Sequence, residues 1–184
     1  AREICIIIAM MSVQEVFIKP SGQHTKAKVA KRKFEVAEGD LLTLLNVYSA
    51  FMNQNMSKHW CSSHFLKYKA LKRANELVAQ LQKTLKRFNV NSTSSSADPD
   101  MIRKCIVSGM FPNAAYLHMS GEYRTVRGDV PLHVHPTSVL YTLPQPAWVV
   151  FAEMSHTNKI HMKDITVVDP TWLEVLAPHY YEKV

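Results

Sequence analysis

The chain has 184 residues, 47% of them hydrophobic, which allows one or two compact domains with a real buried core. Its longest apolar run, Ile4 to Met11, is too short to cross a bilayer and carries no secretory cleavage pattern, so neither membrane insertion nor export is indicated. The net charge of +7 is lopsided: residues 1–100 hold 15 Lys/Arg against 8 Asp/Glu, whereas residues 101–184 hold 7 against 7. A polyanion such as nucleic acid suits the basic half, with a solvated surface as the plain alternative.

After the opening apolar helix comes a segment with Pro20, Gly22 and the basic cluster Lys26, Lys28, Lys31, Arg32 and Lys33, which reads as an exposed loop. Helical periodicity then sets in. Leu41, Leu44, Leu45, Tyr48 and Met52 share one face of a first amphipathic helix. Leu71, Ala74, Leu77, Leu81, Leu85 and Phe88 share one face of a second, whose polar side carries Lys67, Lys69, Lys72, Arg73, Lys83, Lys86 and Arg87. Asn89 to Ala97, with three consecutive serines, reads as a flexible connection. Asp98-Pro99-Asp100 supplies an N-cap, a proline at the first helical position and an acidic first turn for a helix running to about Gly109. Beyond Phe111, short β-branched and aromatic runs alternate with Gly121, Gly128-Asp129, Pro136, Pro144 and Pro146, the spacing of a small barrel or sandwich. The domain boundary is placed near residue 110.

Most polar motifs have a bland reading beside the chemical one. None of the five glycines is followed by lysine, so no Gly-x-x-x-x-Gly-Lys-Ser/Thr phosphate loop exists here. Cys5, Cys61 and Cys105 are odd in number and widely spaced, which fits reduced thiols. His59-x-Cys61-x-x-His64 lacks a fourth ligand and the usual zinc spacing, so packing is preferred and no metal is assigned. Asn91-Ser92-Thr93 matches a glycosylation acceptor without an export signal to make use of it. His133 and His135 would share a strand face, with His118, His156 and His161 as possible neighbours. Trp148 and Trp172 read as core anchors, the second in a short helix ended by Pro178. Thr157 to Thr166 places a hydroxyl, an amide and two lysines on one short β element, which suits a ribose-phosphate backbone; its structural alternative is a plain hairpin.

Several phrases in fixed order carry a family resemblance. They are Val107-Ser108-Gly109-Met110-Phe111-Pro112-Asn113-Ala114-Ala115, His133-Val134-His135-Pro136-Thr137-Ser138-Val139-Leu140, Trp148-Val149-Val150-Phe151, Thr157-Asn158-Lys159-Ile160-His161-Met162-Lys163-Asp164-Ile165-Thr166 and Trp172-Leu173-Glu174-Val175-Leu176-Ala177-Pro178. Upstream stand Glu38-Gly39-Asp40-Leu41-Leu42 and the Trp60-Cys61 and Phe65-Leu66 pairs. Together they resemble the C-terminal region of the DEAH-box ATP-dependent RNA helicases, a helical helicase-associated ratchet domain followed by an OB-like fold.

The resemblance implies an α+β protein: an N-terminal helical ratchet-type bundle over residues 1–110, lacking its own N-terminal part, and a small OB-like β-barrel over 111–184. It implies an accessory RNA-channel and regulator-docking region in pre-mRNA splicing or other RNA processing, inactive as an ATPase alone. ATP and Mg would belong to RecA-like motor domains of the same polypeptide, lying upstream. Single-stranded RNA is the implied ligand, with Thr157, Lys159, Lys163, Ser138, His135 and Arg124 as its contacts, and G-patch-type regulators or spliceosomal proteins are the implied partners. Within His135-Pro136-Thr137-Ser138, Thr137 is expected to cap the following turn and Ser138 to share capping with a phosphate contact. The family's usual Thr-x-Lys-x-Tyr-Met-Arg has His161 and Lys163 here in place of its tyrosine and arginine, which weakens stacking and bidentate phosphate recognition at those two positions. The basic cluster of residues 26–33 resembles a nuclear import signal, so a nuclear location is expected, with the cytoplasm as the alternative. A rival reading is a non-catalytic protein-interaction module of α-plus-OB architecture, supported by the neutral second half and those two departures.

Overall fold

The computed structural model describes residues 1–90 and 98–181. Most of the Asn89–Ala97 connection, with the Asn91 acceptor, lies outside them. The chain forms two compact units, Ala1–Glu35 with Thr43–Ala97, and Val36–Leu42 with Asp98–Val184.

The first unit is helical: α1 (Arg2–Ser12), α2 (His24–Arg32), most of α3 (Asp40–Asn53), α4 (Lys58–Ser63) and α5 (Tyr68–Arg87). Its core is Ile6, Ala9 and Met10 of α1, Val47, Tyr48 and Phe51 of α3, Cys61 of α4, and Leu71, Ala74 and Val78 of α5. The stripes expected on α3 and α5 mostly pack in or against the core, but the deepest places differ: Val47 and Phe51 of α3 and Val78 of α5 are buried, Leu44, Leu45 and Met52 are only half-buried, and Phe88, just past the end of α5, is 74% exposed. The basic stretch expected as a loop is helix α2. Its residues are mostly good helix formers, but only Ala30 is buried, so no apolar period announces it.

Cys61 is fully buried, and burial raises its thiol pKa. The His64 ring stacks on Trp60 at 4.6 Å between centroids and its Nδ1 meets the Trp60 carbonyl. Among the described residues no group of three or more His, Cys, Asp or Glu could hold a metal ion.

The second unit begins, after residues 36–42, with α6 (Pro99–Met110), started as its sequence demands: Asp98 Oδ1 accepts from Asp100 N at 3.0 Å and Met101 N at 3.4 Å. Five strands follow: β1 (Ala114–Leu117), β2 (Tyr123–Thr125), β3 (Pro131–Val134), β4 (Trp148–His156) and β5 (Ile160–Val167), then α7 (Pro170–Leu176) and α8 (Pro178–Tyr181). The strands close into a barrel in the order β1-β2-β3-β5-β4, with β3 and β5 parallel and β4 returning antiparallel to β1. This is a five-stranded OB-type barrel. Its interior holds Ala115, Tyr123, Leu132, Val134, Val149, Phe151, Met162 and Ile165. Tyr123 reaches the Pro146 carbonyl with its hydroxyl at 2.6 Å, and burial pushes its pKa up to about 12.

The boundary expected near residue 110 differs from the division of the compact units, because α6 and the short stretch Val36–Leu42 both go with the barrel. That stretch is strapped to β5. Glu38 O accepts from Val167 N at 2.9 Å and Gly39 bridges Thr166. Gly39 has φ +118°, and a Cβ there would sit 2.2 Å from the Ile165 carbonyl oxygen, so only glycine fits. Trp148 and Trp172 are half-buried rather than core. Trp148 lies against Tyr116, and Trp172 lies under Arg103 and Lys104 in cation–π contact, while Val149, Phe151 and Leu173 take the interior places.

Candidate nucleic-acid interface

Strand β5 has two faces of very different character along its length. Its inward positions begin as Ile160 and Met162 and continue as Ile165 and Val167, a shift of phase by one residue. Asp164 makes the shift: it has φ +52°, and the β4–β5 ladder skips the Ala152–Asp164 pair. Before it, His161 and Lys163 point outward; after it, the outward Thr166 is fully buried beneath Gly39.

The outward part before Asp164 joins β3. His133 pairs with His161 in parallel register, their rings 5.9 Å apart, and His135 meets His161 edge-on at 5.8 Å. His133 Nε2 lies 3.9 Å from Glu122. His135 Nδ1 accepts from Thr137 N at 3.2 Å and stands 2.7 Å from Thr137 Oγ1. Three of the candidate histidines therefore form one group. His118 is elsewhere, its Nδ1 engaged with Ser120, and His156 is exposed at the end of β4.

The β4–β5 ladder runs out to His156–Ile160 and leaves Thr157, Asn158 and Lys159 as an exposed tip. Thr157 closes the tip on Lys159 O through its N–H at 3.1 Å and its hydroxyl at 3.2 Å. Lys159 makes no ion pair among the described residues. Lys163 is half-buried opposite Glu153.

The other two candidates are occupied in holding the barrel. Ser138 is 8% exposed, donates to Asp40 Oδ2 at 2.7 Å and accepts from Leu140 N, so the capping role expected of Thr137 belongs to Ser138. Thr137 is instead tied to His135. A phosphate contact at Ser138 would have to displace Asp40, whose carboxyl also accepts from Val139 N at 2.8 Å and Ile165 N at 2.9 Å. Arg124 pairs with Asp129 at 2.5 Å, and Tyr116 donates to the same carboxyl. Sequence reasoning missed Asp40 as the hub of this knot and Asp164 beside it. Burial, with Asp40 and Glu153 adding repulsion and Lys163 opposing them, pushes the Asp164 pKa up to about 6. The signal for Asp40 was present in Glu38-Gly39-Asp40, but its partners lie 98 to 125 residues away.

Comparison with known proteins agrees with this architecture. Residues 1–44 match the ratchet-like helicase-associated domain (HA2), and residues 102–180 match the oligonucleotide/oligosaccharide-binding (OB)-fold model. The chain is 48% identical over 183 residues to "Probable ATP-dependent RNA helicase DHX35" of Homo sapiens and to the protein so named in Pongo abelii, and 41% identical over 186 residues to the DHX35 homolog of Caenorhabditis elegans. These alignments take in 99–100% of the chain. The chain belongs to the C-terminal ratchet and OB region of the DEAH-box RNA helicase family. It spans about a quarter of the length of the curated relatives it matches. The Thr157–Lys159 tip is thus the β4–β5 loop of a helicase OB fold, and oligonucleotide-binding OB folds commonly use that loop and the β2–β3 face. No helix among the described residues is long and apolar enough to cross a membrane.

Proposed function

We propose that this chain is the accessory RNA-gripping region of an ATP-dependent RNA helicase, and that the β4–β5 tip holds the phosphodiester backbone of single-stranded RNA. The observation that carries the reading is the exposed Lys159 at the tip of an OB barrel, a cation free to meet phosphate because no carboxylate among the described residues takes it. Thr157 shapes the tip, and Lys163 and His135 lie on the adjoining outer face. Such contacts fix position without reading sequence, which is what a motor moving over any RNA requires. ATP with Mg would be used by RecA-like motor domains of the same polypeptide, and the region would gate their channel and dock regulators of the G-patch or spliceosomal kind. Pre-mRNA splicing in the nucleus is the setting we favour. Lys26, Lys28, Arg32 and Lys33, exposed on and just after α2, supply the basic signal for import.

The test is RNA binding by the Lys159→Ala protein at several salt concentrations. Affinity should fall about equally on oligouridylate and mixed-sequence RNA, and the salt slope should shallow by about 0.7, the share of one phosphate contact on a single strand. An unaltered affinity and slope would reduce the tip to a structural hairpin.

A further inference from the structure

The imidazoles of His133, His135 and His161 form a continuous group on the outer face of β3 and β5, with Lys163 following on β5 and Lys159 preceding it at the tip. Imidazole is the side chain whose charge ordinarily changes between pH 5 and 8. Thr137 N–H occupies His135 Nδ1, which places that ring's own proton on Nε2 in the neutral form and leaves it a donor. His133 faces Glu122, a carboxylate able to partner its protonated form.

We propose that the His133–His135–His161 face is a second contact for the single-stranded RNA backbone, one whose strength is set by imidazole protonation. The inference rests on the RNA reading of the β4–β5 tip and extends it across the barrel. A protonated imidazole donates from both nitrogens and adds a positive charge beside phosphate, whereas a neutral one donates from a single nitrogen. In a helicase, such a face would make grip respond to local proton activity while Lys159 holds RNA at every pH.

The neighbouring charges define the controls. Glu122 reaches His133 from the β1–β2 loop. Arg124 on β2 is paired with Asp129. On β4, Glu153 stands opposite Lys163 and Ser155 opposite His161, with exposed His156 at the strand end. Asp164 follows on β5 and is itself close to Asp40. Asp164, its pKa pushed up to about 6, loses charge in mild acid, and His156 is a further imidazole at the end of β4, so both must be separated from the triad.

The experiment measures binding of a fluorescein-labelled oligouridylate between about pH 5.5 and about pH 8. The wild type should bind at least about five-fold tighter at the acidic end, with each protonated imidazole adding about 0.7 to the salt slope. Replacing His133, His135 and His161 together by Gln should flatten the pH profile to within about two-fold; the Lys159→Ala loss, by contrast, should persist at all pH values. Asp164→Asn and His156→Gln should keep the wild-type profile, and His161→Lys should hold tight binding into the alkaline range. Thermal midpoints of the histidine and lysine variants should agree with wild type at pH 8, whereas Asp164→Asn should melt higher because its carboxylate is no longer buried charged. A wild-type profile that is flat while Lys159→Ala still weakens binding would overturn the imidazole contact and leave the tip intact. A pH response that survives the triple Gln change would also overturn it. No binding at any pH at low salt would sink both readings together.

Discussion

From Ile160 to Lys163, β5 turns imidazole and ammonium groups outward, and its leading tip holds Lys159 clear of any carboxylate among the described residues. From Asp164 to Val167, the same strand is covered on its outer side by the Glu38–Gly39–Asp40 strap, which takes hydrogen bonds from Val167 N and Ile165 N. Both halves are rich in polar residues, and both lie in phrases that identify the family. They differ in where the polar atoms are spent. In the covered half they are buried beneath or beside the strap, some paired, like Ile165 N on Asp40, and some, like the Thr166 hydroxyl, without a partner among the described residues, so replacing them should cost or gain stability. In the open half they face outward, so replacing them should cost ligand.

Gly39→Ala should give the largest break in that division. A Cβ would collide with the Ile165 backbone in a conformation alanine avoids, and the expected loss is about 3 kcal/mol or more in urea unfolding, as the strap lifts from β5. A loss below about 1 kcal/mol would mean that the strap contributes little.

Asp164→Asn should come next, with the opposite sign. The folded pKa of about 6 lies above the ordinary value of 3.8, so the folded protein holds its proton more tightly than the unfolded chain. Stability therefore falls as pH rises from about 4 to about 6, and the deficit is complete above that window. The amide removes the deficit and tolerates the left-handed backbone. The variant should be more stable than wild type at pH 7 by up to about 3 kcal/mol, with the difference fading below pH 4 in parallel urea titrations. An equal difference at both ends would show that charge is not its cause.

Thr166→Val should be the smallest. The Thr166 hydroxyl is fully buried and has no hydrogen-bond partner among the described residues, and valine keeps its shape. The expected gain is about 0.5 to 1.5 kcal/mol, read as a rise in thermal midpoint, and a loss would reveal a partner for that hydroxyl.

What the sequence made legible follows the same division. The Asp98 cap and helix α6, the stripes of α3 and α5 and the β-rich second half rest on local patterns and were readable. The exposed tip was readable too, because Thr157, Asn158 and Lys159 are neighbours in sequence. Helix α2 was not, since a helix that buries one alanine shows no period. Ser138 and Arg124 stood among the ligand contacts that the family resemblance implied. Their partners within the chain are Asp40, 98 residues from Ser138 and set by tertiary pairing, and Asp129, across a turn from Arg124. Asp164 carries no local mark of its left-handed backbone, and its raised pKa arises from burial and from Asp40, which the strap brings in.

The central claim is that the tip binds while the knot holds, and one paired measurement tests it: RNA affinity and unfolding free energy, side by side, for Lys159→Ala and Ser138→Ala. Lys159→Ala should weaken RNA binding and leave stability within about 0.5 kcal/mol. Ser138→Ala should lose about 1 to 3 kcal/mol of stability, because Asp40 is left short of a donor, and should bind RNA as wild type where folded. The account is contradicted if Ser138→Ala loses RNA affinity at unchanged stability, or if Lys159→Ala unfolds more easily and binds RNA as before.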